Sequence, residues 1–162
     1  SDVPNSTKLA SNLAIAAGAK GMVMGQALDI AAENSETALS MNDIVKLQKG
    51  KTGALILWAA TAGAHMASED VKPLENYANA VGLAFQIADD LLDATGDQLK
   101  AGKKLMKDAS ANKATFVSLL GVDGAQRKAR DLISDACDSI SIYGARSDAL
   151  KQAAEFVIAR DY

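Results

Sequence analysis

Apolar positions in this chain recur at spacings of three and four. Ala125, Ala129, Leu132, Ile133, Ala136 and Ile140 form one such stripe, and Leu150, Ala154, Val157 and Ile158 form another. These are the positions that share one side of an α-helix. No stretch sustains the strict alternation expected of a strand with one wet face. Alanine, the best helix former and a poor strand residue, supplies 32 of 162 residues. The only prolines are Pro4 and Pro73, so no proline breaks the chain after Pro73. The pattern predicts an all-α protein built as a single domain over residues 1–162, without repeat or linker.

Cap residues divide the pattern into helices. A first helix is predicted from about Thr7 to Glu33. Ser40 and Asp43 form a capping box for a short helix to Lys49, and a third helix covers Thr52–Ser68. Asp70 caps a fourth, with Pro73 in its first turn, running to about Thr95 and stopping before Gly96. A polar segment from Asp97 to Asn112 follows, and segments of that kind often carry function. A short helix from Lys113 to Leu120 ends at Gly121. Asp123 with Gln126 opens the next, to about Tyr143, and Ser147 caps the last.

Composition narrows the function. The net charge of −3, from 17 basic and 20 acidic residues, argues against a nucleic-acid-binding module. One cysteine, Cys137, excludes an internal disulfide framework and a zinc ribbon. The apolar run Thr52–Ala67 is interrupted by Gly63 and His65 and falls short of the roughly 18 residues that a membrane span needs. No signal peptide is visible, so the expected location is the cytoplasm and no membrane insertion is expected.

Candidate chemistry concentrates in three places. In Phe85-Gln86-Ile87-Ala88-Asp89-Asp90-Leu91-Leu92-Asp93, a turn of about 100° per residue puts Gln86, Asp89, Asp90 and Asp93 on one side and Ile87, Ala88, Leu91 and Leu92 on the other. Like charges at that spacing repel, so something must offset them. A divalent cation such as Mg²⁺ suits carboxylate oxygens, and a solvated acidic face is the plainer alternative. Lys51, Lys103, Lys104, Lys107 and Lys113 could grip a diphosphate beside such an ion, or be ordinary surface charge. Gly50-Lys51-Thr52 is not a P-loop, because Val45 stands where that motif needs glycine. In Gly21-Met22-Val23-Met24-Gly25-Gln26-Ala27-Leu28-Asp29, two glycines thin one helix side, which implies a steric demand, and Gln26 and Asp29 stand together at i, i+3. His65 and Cys137 read as packing residues.

In order along the chain, Gly25-Gln26-x-x-Asp29, Lys51-Thr52-Gly53, Phe85-Gln86-x-x-Asp89-Asp90-x-x-Asp93, Gly102-Lys103, and Asp108 with Lys113-x-Thr115 resemble the trans-isoprenyl diphosphate synthases. The likeness is nearest to the bacterial geranyltranstransferases that make farnesyl diphosphate. It implies the C-terminal half of an isoprenoid synthase helical bundle. It also implies a prenyl transferase that condenses isopentenyl diphosphate with dimethylallyl or geranyl diphosphate through Mg²⁺-assisted ionisation. By resemblance, Asp89 ligates Mg²⁺ with Asp90 and Asp93 in support, and Asp29 lies near the metal cluster. Lys51 and Lys103 grip the allylic diphosphate, and Thr52 and Gln86 stand near the cation. Gln26 and Phe85 line the site, and Lys113 orders a closing segment. The resemblance further implies a homodimer and a first Asp-rich motif on an earlier helix. These 162 residues lack that motif, so the chain alone is expected to be inactive, with exposed apolar surface where further helices would pack. A non-catalytic helical subunit that modulates a complete synthase is the alternative.

Overall fold

The computed structural model describes residues 5–34, 39–100 and 115–159, and among them every regular element is helical. In chain order these are α1 (Ser6–Ala17), α2 (Met22–Glu33), α3 (Met41–Gln48), a π-turn (Lys49–Gly53), α4 (Ala54–Ala67), α5 (Lys72–Lys100), α6 (Phe116–Ser139), a 3₁₀ segment (Ser141–Ser147) and α7 (Asp148–Ala159). The all-α expectation holds.

Several boundaries follow the caps read from sequence. The Ser40 hydroxyl accepts from the Asp43 amide, and the Asp43 carboxylate accepts from the Ser40 amide at 3.1 Å, so the box that starts α3 is closed. The Ser40 hydroxyl also donates to the Asp43 carboxylate, at 2.6 Å, and this bond, with the one from the Ser40 amide, holds the Asp43 pKa below the usual carboxylate range. The Asp70 carboxylate accepts from the Lys72 amide at 3.0 Å at the start of α5. Gly121, at φ +69°, kinks α6 where the first of two helices was expected to end.

Other boundaries differ. The single helix expected over Thr7–Glu33 is two, separated at Gly18–Gly21. A Cβ at Gly21 would fall on the Ala16 carbonyl oxygen, so only glycine lets the backbone turn back this closely. Gly96 does not stop α5, which runs to Lys100; glycine inside a helix costs about 1 kcal/mol without breaking it. Ser147 does not cap α7 with its side chain. It is buried, and its hydroxyl donates to the Gly144 carbonyl at 2.7 Å.

The core is built on α5. Tyr77, Val81, Ala84 and Ile87 pack against Phe116, Ala125, Ala129, Leu132, Ile133, Ala136 and Ile140, with Ile44 of α3 and Ala154 of α7 closing the ends. The alanines on facing positions let α5 and α6 lie close together, and the larger side chains fill the space between them. The Tyr77 hydroxyl donates to the Leu150 carbonyl at 2.7 Å and ties α7 to α5. Burial, with Cys137 nearby, pushes the Tyr77 phenol above its ordinary pKa and keeps it a donor. On the opposite side α1 buries no residue and is held to α4 partly by Trp58, whose indole N–H donates to the Leu9 carbonyl at 3.2 Å. Among the described residues no helix is long and apolar enough to cross a membrane.

Candidate functional site

Lys51 and Thr52 were expected at a junction between two helices. They lie instead inside one nearly continuous helical rod, where α3 passes into α4 through the π-turn Lys49–Gly53. The flanking residues keep right-handed helical dihedrals: Gln48 at φ −68°, ψ −34° and Ala54 at φ −61°, ψ −41°. A π-turn widens the helix by one residue, and such turns recur at functional sites.

The widened turn rests on α2. A Cβ at Gly25 would fall on the Lys51 amide nitrogen, and one at Gly50 would stand 3.0 Å from the Gly25 Cα. The two segments therefore meet backbone on backbone, which is the steric demand that the glycines in the α2 sequence implied. One turn along α2, Asp29 is buried, and its carboxylate pairs with the Lys51 ammonium at 2.5 Å. The Lys51 side chain remains about one-third exposed. An ammonium has three donors, so Lys51 is oriented by Asp29 while keeping capacity for an anion.

On its other flank the π-turn meets α5. Gly82 lies against it: a Cβ there would sit 3.5 Å from the Gly53 Cα and 3.7 Å from Ile56. From Gly82, helical spacing carries the same side of α5 to Gln86, Asp89 and Asp93. Gln86 is buried at 8% exposure, Phe85, Asp89 and Asp90 are half-buried, and Asp93 is exposed. The Gly82–Gly53 contact thus brings the Lys51-Thr52 turn alongside the helix that bears the acidic cluster. Gly82 was missed in the sequence, although it stands four residues before Gln86, where a small residue admits a neighbouring backbone.

Asp90 has a further engagement. Its Oδ2 accepts from the backbone N–H of Phe116, the first residue of α6, at 2.8 Å. Thr115 and Ser118 close a capping box at the same helix start. The positive end of α6 therefore faces the acidic cluster and offsets part of its repulsion.

Other expected residues are placed differently. Gln26 is exposed on α2. Lys103 and Lys113, with Lys104 and Lys107, lie outside the described residues. Among the described residues no group of three His, Cys, Asp or Glu side chains converges as a ready metal site. Asp89 and Asp93, one turn apart, do fit an ion of the Mg²⁺ kind, which commonly takes only one or two protein carboxylates and completes its shell with phosphate oxygens and water. A cavity of about 650 Å³ opens among α3, α5 and α6, between Lys49, Asn79 and Asp135. A second, of about 290 Å³, lies between α1 and α4 beside Trp58 and His65. None of the expected site residues lines either, so the candidate site is a helix-lined surface formed by the π-turn, α2 and α5.

Comparison with known proteins gives this arrangement a context. Over 158 residues the chain is 40% identical to the farnesyl diphosphate synthase of Escherichia coli, covering 93% of this chain and 52% of that one. Its fold superposes with a TM-score of 0.81 on the crystal structure of an FPP/GFPP synthase from Zymomonas mobilis, at 40% identity over 93% of this chain and 50% of the other. A geranyltransferase from Helicobacter pylori, whose structure was solved in complex with magnesium and isoprenyl diphosphate, aligns at TM-score 0.72 and 28% identity, over 94% and 50% of the respective chains. The chain spans about half the length of the relatives it matches. Residues 5–155 match the family model for polyprenyl synthetase, and the chain belongs to that family.

Proposed function

We propose that this chain carries part of the active site of a prenyl transferase that joins isopentenyl diphosphate to an allylic diphosphate, dimethylallyl or geranyl, and yields farnesyl diphosphate. The observation that carries this reading is the Gly82–Gly53 contact, which sets the Lys51-Thr52 turn beside the helix bearing Gln86, Asp89 and Asp93. A cationic grip and an acidic pair on neighbouring elements suit a diphosphate bound through a divalent cation.

In this reading Asp89 and Asp93 hold Mg²⁺, which when bound neutralises the charge that builds on the departing diphosphate. Lys51, oriented by Asp29, binds a terminal phosphate oxygen and stabilises the same charge by hydrogen bonding. Lys103 is assigned to the same diphosphate and Lys113 to ordering its surroundings. Thr52 and the buried Gln86 present neutral dipoles where the allylic cation forms, and dipoles held in place need no reorganisation as charge develops. Phe85 and Gln26 complete the wall. We further propose that the working enzyme is a cytoplasmic homodimer and that these 162 residues alone do not turn over.

Melting of the chain in Mg²⁺ with increasing inorganic pyrophosphate tests the site. At a ligand concentration about 100 times Kd, linkage contributes about 2.7 kcal/mol, a rise of several degrees. That rise should vanish with EDTA and in Lys51→Ala. A melting temperature that pyrophosphate and Mg²⁺ together leave unmoved overturns the reading, and steady synthesis of farnesyl diphosphate by the chain overturns the expected inactivity.

A further inference from the structure

We propose that the three carboxylates of the acidic cluster divide their work, and that Asp90 is a positioning residue that docks the start of α6 onto α5 and so orients Asp89 and Asp93. The cation half of this statement rests on the function proposed above; the docking half does not.

Three observations lead here. First, the Asp90 Oδ2 accepts from the Phe116 N–H at 2.8 Å, across 26 residues of sequence. That amide is one of the four at a helix start without an intrahelical acceptor. Thr115 Oγ1 takes the Ser118 amide at 3.1 Å, so Asp90 and Thr115 serve different donors of the same terminus. Second, the Phe116 side chain is 2% exposed and belongs to the core that α5 and α6 share. Its amide is therefore a fixed point, and a bond to it anchors the acidic turn of α5 to the start of α6. Third, with about 100° per residue, Asp89 and Asp93 lie about 40° apart around α5, while Asp90 lies about 60° beyond Asp93 on the side away from Asp89. The carboxylate turned furthest from the pair is the one that reaches α6.

Charge points the same way. A helix start carries roughly half a positive charge. Opposed to Asp90, it offsets part of the repulsion that this carboxylate adds to Asp89 and Asp93. With the tether removed, the turn of α5 that carries Asp89 and Asp93 would lose its fixed contact with the start of α6.

The test uses the whole 162-residue chain, with amide hydrogen exchange at Phe116 and titration with Mg²⁺ and inorganic pyrophosphate. Asp90→Ala is expected to speed exchange at Phe116 by about tenfold or more, the scale of one lost hydrogen bond to a charged acceptor, and to weaken pyrophosphate binding. Asp90→Asn keeps a carbonyl acceptor without the charge and is expected to restore most of both. Asp89→Asn is expected to weaken binding while leaving exchange at Phe116 as it was. The proposal is overturned if Asp90→Asn loses binding as fully as Asp89→Asn, or if Phe116 exchanges equally fast in the parent and in Asp90→Ala. Should Asp90→Ala not fold, Asp90→Asn against the parent still decides. If the parent binds no pyrophosphate, the proposed function fails and exchange at Phe116 alone judges the tether.

Discussion

The two flanks of the molecule are built differently. Where α5 meets α6, Ala84, Ile87, Ala125, Ala136 and Ile140 are wholly buried. On the other flank α1 buries nothing, and Ile15, Val23, Met24 and Ile30 are each about half exposed. The first flank is held by apolar burial. The second is held by single polar contacts and backbone-to-backbone contact: Trp58 to Leu9, Lys51 to Asp29, and the glycines of α2 on the π-turn. The site lies at the seam between them, with Lys51 anchored to the sparsely buried flank and the carboxylates to the dense one. The exposed apolar side chains on α1 and α2 agree with the sequence expectation of unpacked surface.

This contrast can be broken by mutation. Phe116→Ala on the dense flank is expected to cost about 3–5 kcal/mol in urea unfolding, through lost burial and the cavity left behind, whereas Ile15→Ala on the exposed flank is expected to stay within about 0.5 kcal/mol. Equal costs would dissolve the distinction. Gly25→Ala forces a methyl into the Lys51 backbone and is expected to destabilise by about 1–3 kcal/mol. Gly63 has nothing within 4 Å of an added Cβ, so Gly63→Ala is expected to stabilise, by about 1 kcal/mol from helix propensity. A neutral Gly25→Ala would show that α2 yields easily to the turn. Trp58→Phe keeps most of the ring and loses the bond to Leu9, with an expected cost of about 1 kcal/mol and faster proteolysis within α1.

The smallest effect concerns pH. Asp43 has a depressed pKa in the folded chain, so its contribution is present above the ordinary carboxylate pKa and is lost as pH falls through the lowered value. Asp43→Asn is expected to flatten that acid limb, measured by melting between neutral and acidic pH, and an unchanged limb would remove Asp43 from the cause.

Local chemistry was the legible part of the fold. Ser40 with Asp43, Asp70 before Lys72 and the stripe from Ala125 to Ile140 are each decided within a turn or two, and the structure follows them. The break at Gly18–Gly21 was hidden in an alanine-rich run, where helix propensity is high on both sides and only the crowding at the Ala16 carbonyl separates the halves. The π-turn escaped because Gly50 and Gly53 read as a break between two helices, whereas the backbone there stays right-handed helical. For the site, sequence order picked out Lys51, Asp29 and the acidic cluster. It could not pair Asp29 with Lys51 across 22 residues, or Asp90 with Phe116 across 26, since such partners are chosen by tertiary packing.

One bond described above bears on how the chain acquires its shape. Tyr77 reaches Leu150, 73 residues further on, and most of what buries α5 lies after residue 115. On a ribosome adding about 5–20 residues per second, α5 waits several seconds for α6 and α7 to follow it. Burial of α5 is therefore late relative to its own synthesis, and a nascent chain halted before α6 leaves that helix open to chaperones and proteases.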